Sequence, residues 1–138
     1  AFLVFIIGEN SANITHVIMT NEGEVHGNAP AAGSTEKNGT GGIIGVNADG
    51  AIITNSSLMN RVNGNVSGVA NVGGIIGINH GIITGGRDDN KNYYKYQIYN
   101  NGTIQAGSYD ATNGTITAFA GENIGGLLRH LPYSHLHR

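Results

Sequence analysis

Nine carboxylates and six histidines, with no cysteine, are what this chain can bring to acid–base, metal or nucleophilic chemistry. Asp88-Asp89 is its one acidic pair. Cleaving a glycosidic bond takes an acid and a base that converge on one groove. Neighbours on an extended strand point to opposite faces, so this pair reads as a solvated loop rather than a catalytic dyad. His135-x-His137, with His130 nearby, has the spacing for two metal ligands on one strand face. No carboxylate accompanies them, and they sit in a terminal stretch. There is no Gly-x-Ser-x-Gly elbow to present a serine. The lack of Cys removes thiolate ligands, thiol nucleophiles and disulfides. The expectation is therefore no catalytic residue, no metal and no cofactor.

Three polar patterns stand out more strongly. Asn47 and Asn79 each follow a Gly-containing apolar run where calcium-binding repeats place Asp. Neutral amide oxygens alone hold a hard cation weakly, so these Asn are expected to stack as a ladder between successive repeats. Residues 91–99 hold four of the six Tyr. Tyr93, Tyr94, Lys95, Tyr96 and Tyr99 are candidates to stack on a sugar ring or contact a protein partner. At period two, Tyr94, Tyr96 and Ile98 share one face; the competing reading turns one Tyr face toward the core. Finally, Asn13, Asn38, Asn55, Asn65, Asn101 and Asn113 each open an Asn-x-Ser/Thr acceptor. With 18 Asn and 17 Ser or Thr in the chain, chance supplies roughly two. The excess is read as Asn-Gly-Thr turns of the repeat, with glycosylation as the alternative.

Composition says what must position these groups. Gly supplies 23 of 138 residues, well above its usual share of about 7%. Gly, Asn, Thr and Val are poor helix formers, whereas β-branched residues between Gly and Asn corners suit short strands. Disorder needs low hydrophobicity and high charge; here 39% of residues are apolar and the net charge is -2. The seven Lys and Arg are scattered, which argues against a nucleic-acid surface. Residues 1–7 are all apolar but far shorter than the ~20 that cross a bilayer, and they lack the basic start of a secretion signal. They are expected to form a buried strand.

Internal repeats organise the rest. Ile6-Ile7-Gly8-Glu9-Asn10 recurs as Ile43-Ile44-Gly45-Val46-Asn47 and as Ile75-Ile76-Gly77-Ile78-Asn79, with a degenerate copy in Leu127-Leu128-Arg129-His130. After the first three copies comes a second apolar strand ending in Thr: Ile14-Thr15, Ile52-Ile53-Thr54 and Ile82-Ile83-Thr84. Asn101-Gly102-Thr103-Ile104 and Asn113-Gly114-Thr115-Ile116-Thr117 echo it. The copies lie 37, 32 and 52 residues apart, as in a solenoid whose insertions leave the stack as loops. Residues 131–138 lack the repeat chemistry and read as a tail.

Asn71-Val72-Gly73-Gly74-Ile75-Ile76-Gly77-Ile78-Asn79, followed by Gly81-Ile82-Ile83-Thr84, resembles the GLUG motif, which runs Gly-Gly-Leu-Val-Gly, then an Asn, a Gly turn and a short strand. Thr40-Gly41-Gly42-Ile43-Ile44-Gly45-Val46-Asn47 matches equally well, and Asn123-Ile124-Gly125-Gly126-Leu127-Leu128 opens a third copy. The resemblance covers most of residues 38–130. Phe5 and Arg129 depart from it, each standing where a Gly belongs. The resemblance implies a bacterial surface or secreted protein of adhesin type and a β-solenoid stalk outside any catalytic part.

The fold expected is thus all-β: one β-solenoid, parallel and β-helix-like, over residues 1–138, a fragment of a larger surface protein. Its expected role is structural or adhesive and extracellular, at the cell surface, with a glycan or protein ligand, no nucleic acid and no membrane span. The alternative is a filament subunit that self-associates when residues 1–7 add to a neighbour's edge. A carbohydrate-binding or carbohydrate-active β-helix is a third reading. Stacking predicts one inner row of Ile7, Ile44, Ile76 and Leu128.

Overall fold

The computed structural model describes residues 7–27, 39–84, 96–118, 122–126 and 135–137. Among them there are seventeen short strands and no helix. A first pass of chain lays down β1 (Ile7–Asn10), β2 (Ile14–Thr15), β3 (Ile18–Asn21), β4 (Val25–His26) and β5 (Thr40–Gly41). The second pass lays β6 (Ile44–Asn47), β7 (Ile52–Thr54), β8 (Ser57–Asn60), β9 (Val66–Gly68) and β10 (Ala70–Gly73) beside them in the same order. The third adds β11 (Ile76–Asn79), β12 (Ile82–Thr84), β13 (Ile98–Asn100), β14 (Ile104–Asp110) with its antiparallel partner β15 (Thr115–Ala118), and β16 (Glu122–Gly125). Each strand of one pass pairs in parallel with its counterpart in the next. Five stacked sheets result. The fold is all-β with stacked parallel sheets, an arrangement compatible with a β-solenoid.

Register follows the repeat. Ile7, Ile44 and Ile76 align, as do Asn10, Asn47 and Asn79, and Thr15, Thr54 and Thr84. The core lies between the sheets. Ile43, Ile44, Ile75, Ile76, Ile53, Ile83 and Leu58 are almost wholly buried with Met19, and Ile7, Ile14, Val17 and Ile98 pack on them. The inner row thus forms over its first three members; Leu128 lies outside the described residues. Of residues 1–7, only Ile7 is described, opening β1.

The unequal repeat lengths resolve into three insertions. Between the first and second passes the register offset falls from 41 at Val25–Val66 to 32 at Thr40–Val72, so nine extra first-pass residues lie between His26 and Thr40. Between the second and third passes the register offset is 30 from Ile52 to Ile82 but 40 from Leu58 to Ile98. Ten extra residues therefore fall between Thr84 and Tyr96, outside the described residues. The offset rises again from 38 at Val66–Ile104 to 52 at Ala70–Glu122. That last insertion is the β14–β15 hairpin. The two Asn-Gly-Thr echoes are accordingly not further copies of the Thr-ending strand: Ile104 pairs with Val66 in another sheet, and Thr115–Ala118 folds back antiparallel. His135–His137, within the stretch read as a tail, forms β17 and pairs in parallel with β12.

Two ladders of buried Asn lock the passes together. Asn10 Nδ2 donates to Asn47 Oδ1 and Asn47 Nδ2 to Asn79 Oδ1, each at 2.8 Å. On another face Asn21 Nδ2 donates to Asn60 Oδ1 at 2.8 Å and Asn60 Nδ2 to Asn100 Oδ1 at 2.6 Å. The same amides also close the corners. Asn21 donates to Gly23 O and accepts from Gly23 N, Asn10 does the same with Ala12, and Asn100 with Gly102. The ladder expected at Asn47 and Asn79 is present. The second ladder was not anticipated from sequence.

Between β5 and β6, and again between β10 and β11, the corner is a Gly pair. A Cβ on Gly42 would fall onto Gly74 O, and one on Gly74 onto Gly126 O and the Asn100 carboxamide. Successive backbones pack here without room for a side chain.

Two outcomes follow for urea unfolding. Asn47→Ala orphans amide groups on both neighbours and is expected to cost about 3 kcal/mol, whereas Asn79→Ala orphans one and costs about 1.5 kcal/mol; equal losses would contradict the ladder. Gly42→Ala is expected to cost about 3 kcal/mol, while Gly8→Ala, with nothing within 4 Å of its Cβ, stays within about 0.5 kcal/mol.

Candidate functional site

The sheet of β4, β9 and β14 carries a pattern repeated three times: Gly23-Glu24-Val25-His26, Gly64-Asn65-Val66-Ser67 and Gly102-Thr103-Ile104-Gln105. The register sets Val25, Val66 and Ile104 in one row and His26, Ser67 and Gln105 in the next. Strand alternation turns the second row away from the first. Polar residues on both sides of the apolar row therefore reach one surface.

The hairpin folds back over that surface. Its strands pair Tyr109 with Ile116. The Tyr109 ring stacks on His26 at 3.7 Å between centroids and 6° between planes. His26 belongs to the first pass and Tyr109 to the third, so the hairpin straps the stack. Its turn is fastened by Asp110. Asp110 Oδ1 accepts from Thr112 N at 2.9 Å and Oδ2 from Asn113 Nδ2 at 2.8 Å. The Thr112 N–H holds this carboxyl below its ordinary value of 3.8. Gly114 closes the turn at φ 63°.

Beneath the strap Ser67 Oγ lies 2.7 Å from His26 Nδ1, and Glu24 Oε2 lies 3.3 Å from His26 Nε2. A hydroxyl, an imidazole and a carboxylate in a line are the parts of a nucleophile relay. Here Ser67 is 2% exposed and its hydroxyl is engaged by the ring. The three residues form the landing point of the hairpin and tie the first pass to the second. Beside them opens a cavity of about 220 Å³, walled by Glu24, Asn65, Thr103, Gln105 and Ile116.

Other candidates from the sequence are dispersed. Tyr96 and Tyr99 are half-buried, with Tyr99 paired beside Met59 and Ile98 packed on the core. Tyr93, Tyr94 and Lys95 lie outside the described residues, as do Asp88-Asp89, His130 and Asn38. Asn13, Asn101 and Asn113 are exposed, while Asn55 and Asn65 are half-buried. Asn55 occupies a left-handed corner at φ 48°, and Asn65 Oδ1 accepts from Thr103 N at 3.2 Å. Among the described residues no three His, Asp or Glu gather as a metal site, and no helix is long and apolar enough to cross a membrane.

No protein-family model matches this chain, and neither a curated protein nor a solved structure matches it.

Sequence reasoning missed Glu24, His26, Ser67, Gln105 and Tyr109. The signal was the Gly-x-Val/Ile-polar pattern, which becomes a surface only once three distant segments are set side by side. If the strap is held by its stack on His26, a double-mutant cycle of His26→Ala and Tyr109→Ala returns a coupling of about 1 kcal/mol in urea unfolding. Additive losses would show that the rings do not hold each other.

Proposed function

We propose that this chain is a stalk segment of an extracellular, cell-surface adhesin: a β-solenoid of irregular Gly/Asn-rich repeats, related to the GLUG type, with no enzymatic role. The observation that carries the reading is the in-register superposition of three passes with Asn ladders on two faces. Such a stack adds one strand spacing, about 4.8 Å, for each further pass. Its stability then grows with repeat number, because each pass contacts only its neighbours. A stiff rod of this kind suits projection from a surface toward a glycan or protein ligand.

A second reading is favoured by one feature. Among the described residues every first-pass strand lies at the edge of its sheet. Parallel edges of this kind accept further strands, which suits a self-assembling filament subunit.

Duplicating residues 44–75, one complete pass, tests the stalk. The stalk reading expects small-angle scattering to show a particle longer by about 4.8 Å at constant cross-section and a higher urea midpoint. Thickening of the particle, or a lower midpoint, would oppose it. Ordered fibres growing with concentration would instead favour the filament.

A further inference from the structure

The cavity under the hairpin is lined by polar groups that the fold does not use. His26 and Ser67 engage each other. Gln105 is half-buried, and its carboxamide has no protein hydrogen bond among the described residues. Asn65 spends Oδ1 on Thr103 N, which leaves its Nδ2 hydrogens for the cavity. Thr103 brings a hydroxyl and Glu24 the second oxygen of its carboxylate. Donors and acceptors thus both line a space of about 220 Å³, with Ile116 among its walls.

Size and charge narrow the ligand. The space is below the range of about 300–1,000 Å³ typical of drug-sized sites, so it holds one small ring rather than a chain. Among the described residues neither Lys nor Arg lines it, and Glu24 repels anions. Glu24 is largely exposed, its side chain 62% accessible, so an ion pair there contributes little toward holding an amine. A neutral polyol has hydroxyls that both donate and accept, to match two carboxamides, a hydroxyl and a carboxylate. Its C–H face suits Ile116.

We propose that this cavity binds one neutral sugar ring of a glycan. The proposal rests on the adhesive part of the function above, and it moves the sugar contact from residues 93–99 to the strap. Glu24 and Gln105 fix the hydroxyls, Asn65 and Thr103 close the rim, and the Tyr109–His26 stack holds the hairpin over the ring.

The test is saturation-transfer NMR and titration of the full chain with glucose, galactose and N-acetylglucosamine, with glucuronic acid and glucosamine as charge controls. A neutral sugar is expected to bind with a Kd of about 1 mM, and glucuronic acid about tenfold more weakly. Gln105→Ala and the milder Glu24→Gln should each weaken binding about tenfold, while exposed Glu9→Gln leaves it unchanged. No sugar binding by a chain that keeps its rod shape in scattering would overturn the site and leave the stalk reading standing. Binding unaffected by both cavity variants, or preference for glucosamine over glucose, would overturn it too. So would Ser67-dependent hydrolysis of p-nitrophenyl acetate, which would make the landing point catalytic.

Discussion

The side-chain amide of a buried Asn is costly to leave bare or to move out of register. It carries two donor hydrogens and acceptor lone pairs, and burial without partners costs about 1–3 kcal/mol per group. Asn21, Asn47 and Asn60 are fully buried. Besides the corner bonds of Asn21 and Asn60, their amides are satisfied when the neighbouring pass brings an identical amide to the same height. A slip of one residue would place Val46 opposite Asn79 and leave both ladder bonds unmade. Burial of the Ile pairs acts in the same direction, since a one-residue slip turns a strand's inward side chains to the other face.

The end of one ladder shows the same constraint from the other side. Among the described residues, the buried Asn79 Nδ2 has no hydrogen-bond partner. The fourth copy of the repeat, Leu127-Leu128-Arg129-His130, carries no Asn in its sequence. Among the described residues the ladder thus ends at Asn79 with a donor to spare. The other ladder closes differently: Asn100 is half-buried and turns its Nδ2 to Gly102 O at 3.2 Å. The Gly corners complete the scheme, since amides can meet at 2.8 Å only if the backbones between them approach as closely as Gly42 and Gly74 do.

Legibility of the sequence tracked chemical monotony. The first two sheets of each pass were readable because Ile-Ile-Gly-x-Asn and Ile-Thr recur almost unchanged. The β5–β10–β16 sheet was readable too, since Thr40-Gly41, Val72-Gly73 and Ile124-Gly125 lie in the copies aligned from sequence, but the other two were not. Their inward positions vary among Met19, Leu58 and Ile98, or Val25, Val66 and Ile104, which fill similar volume with different letters. The ladder at Asn21, Asn60 and Asn100 hid for a related reason: its corners differ in length, with Gly23 and Gly102 two residues on but Gly64 four residues on. The site was the least visible part. It is assembled from three passes and a hairpin that the echo Asn113-Gly114-Thr115 made look like another repeat, and no local window contains both Tyr109 and His26.

Hydrogen exchange of the Asn side-chain amides, resolved by NMR, tests the ladder account most directly. If stacked amides hold the passes in register, the Nδ2 protons of Asn47 and Asn60 exchange only on global unfolding, alongside the backbone amides of Ile44 and Ile76. If those protons exchange as fast as the exposed Asn13 amide while the backbone stays protected, the ladders do not hold the fold together, and the account built on them fails.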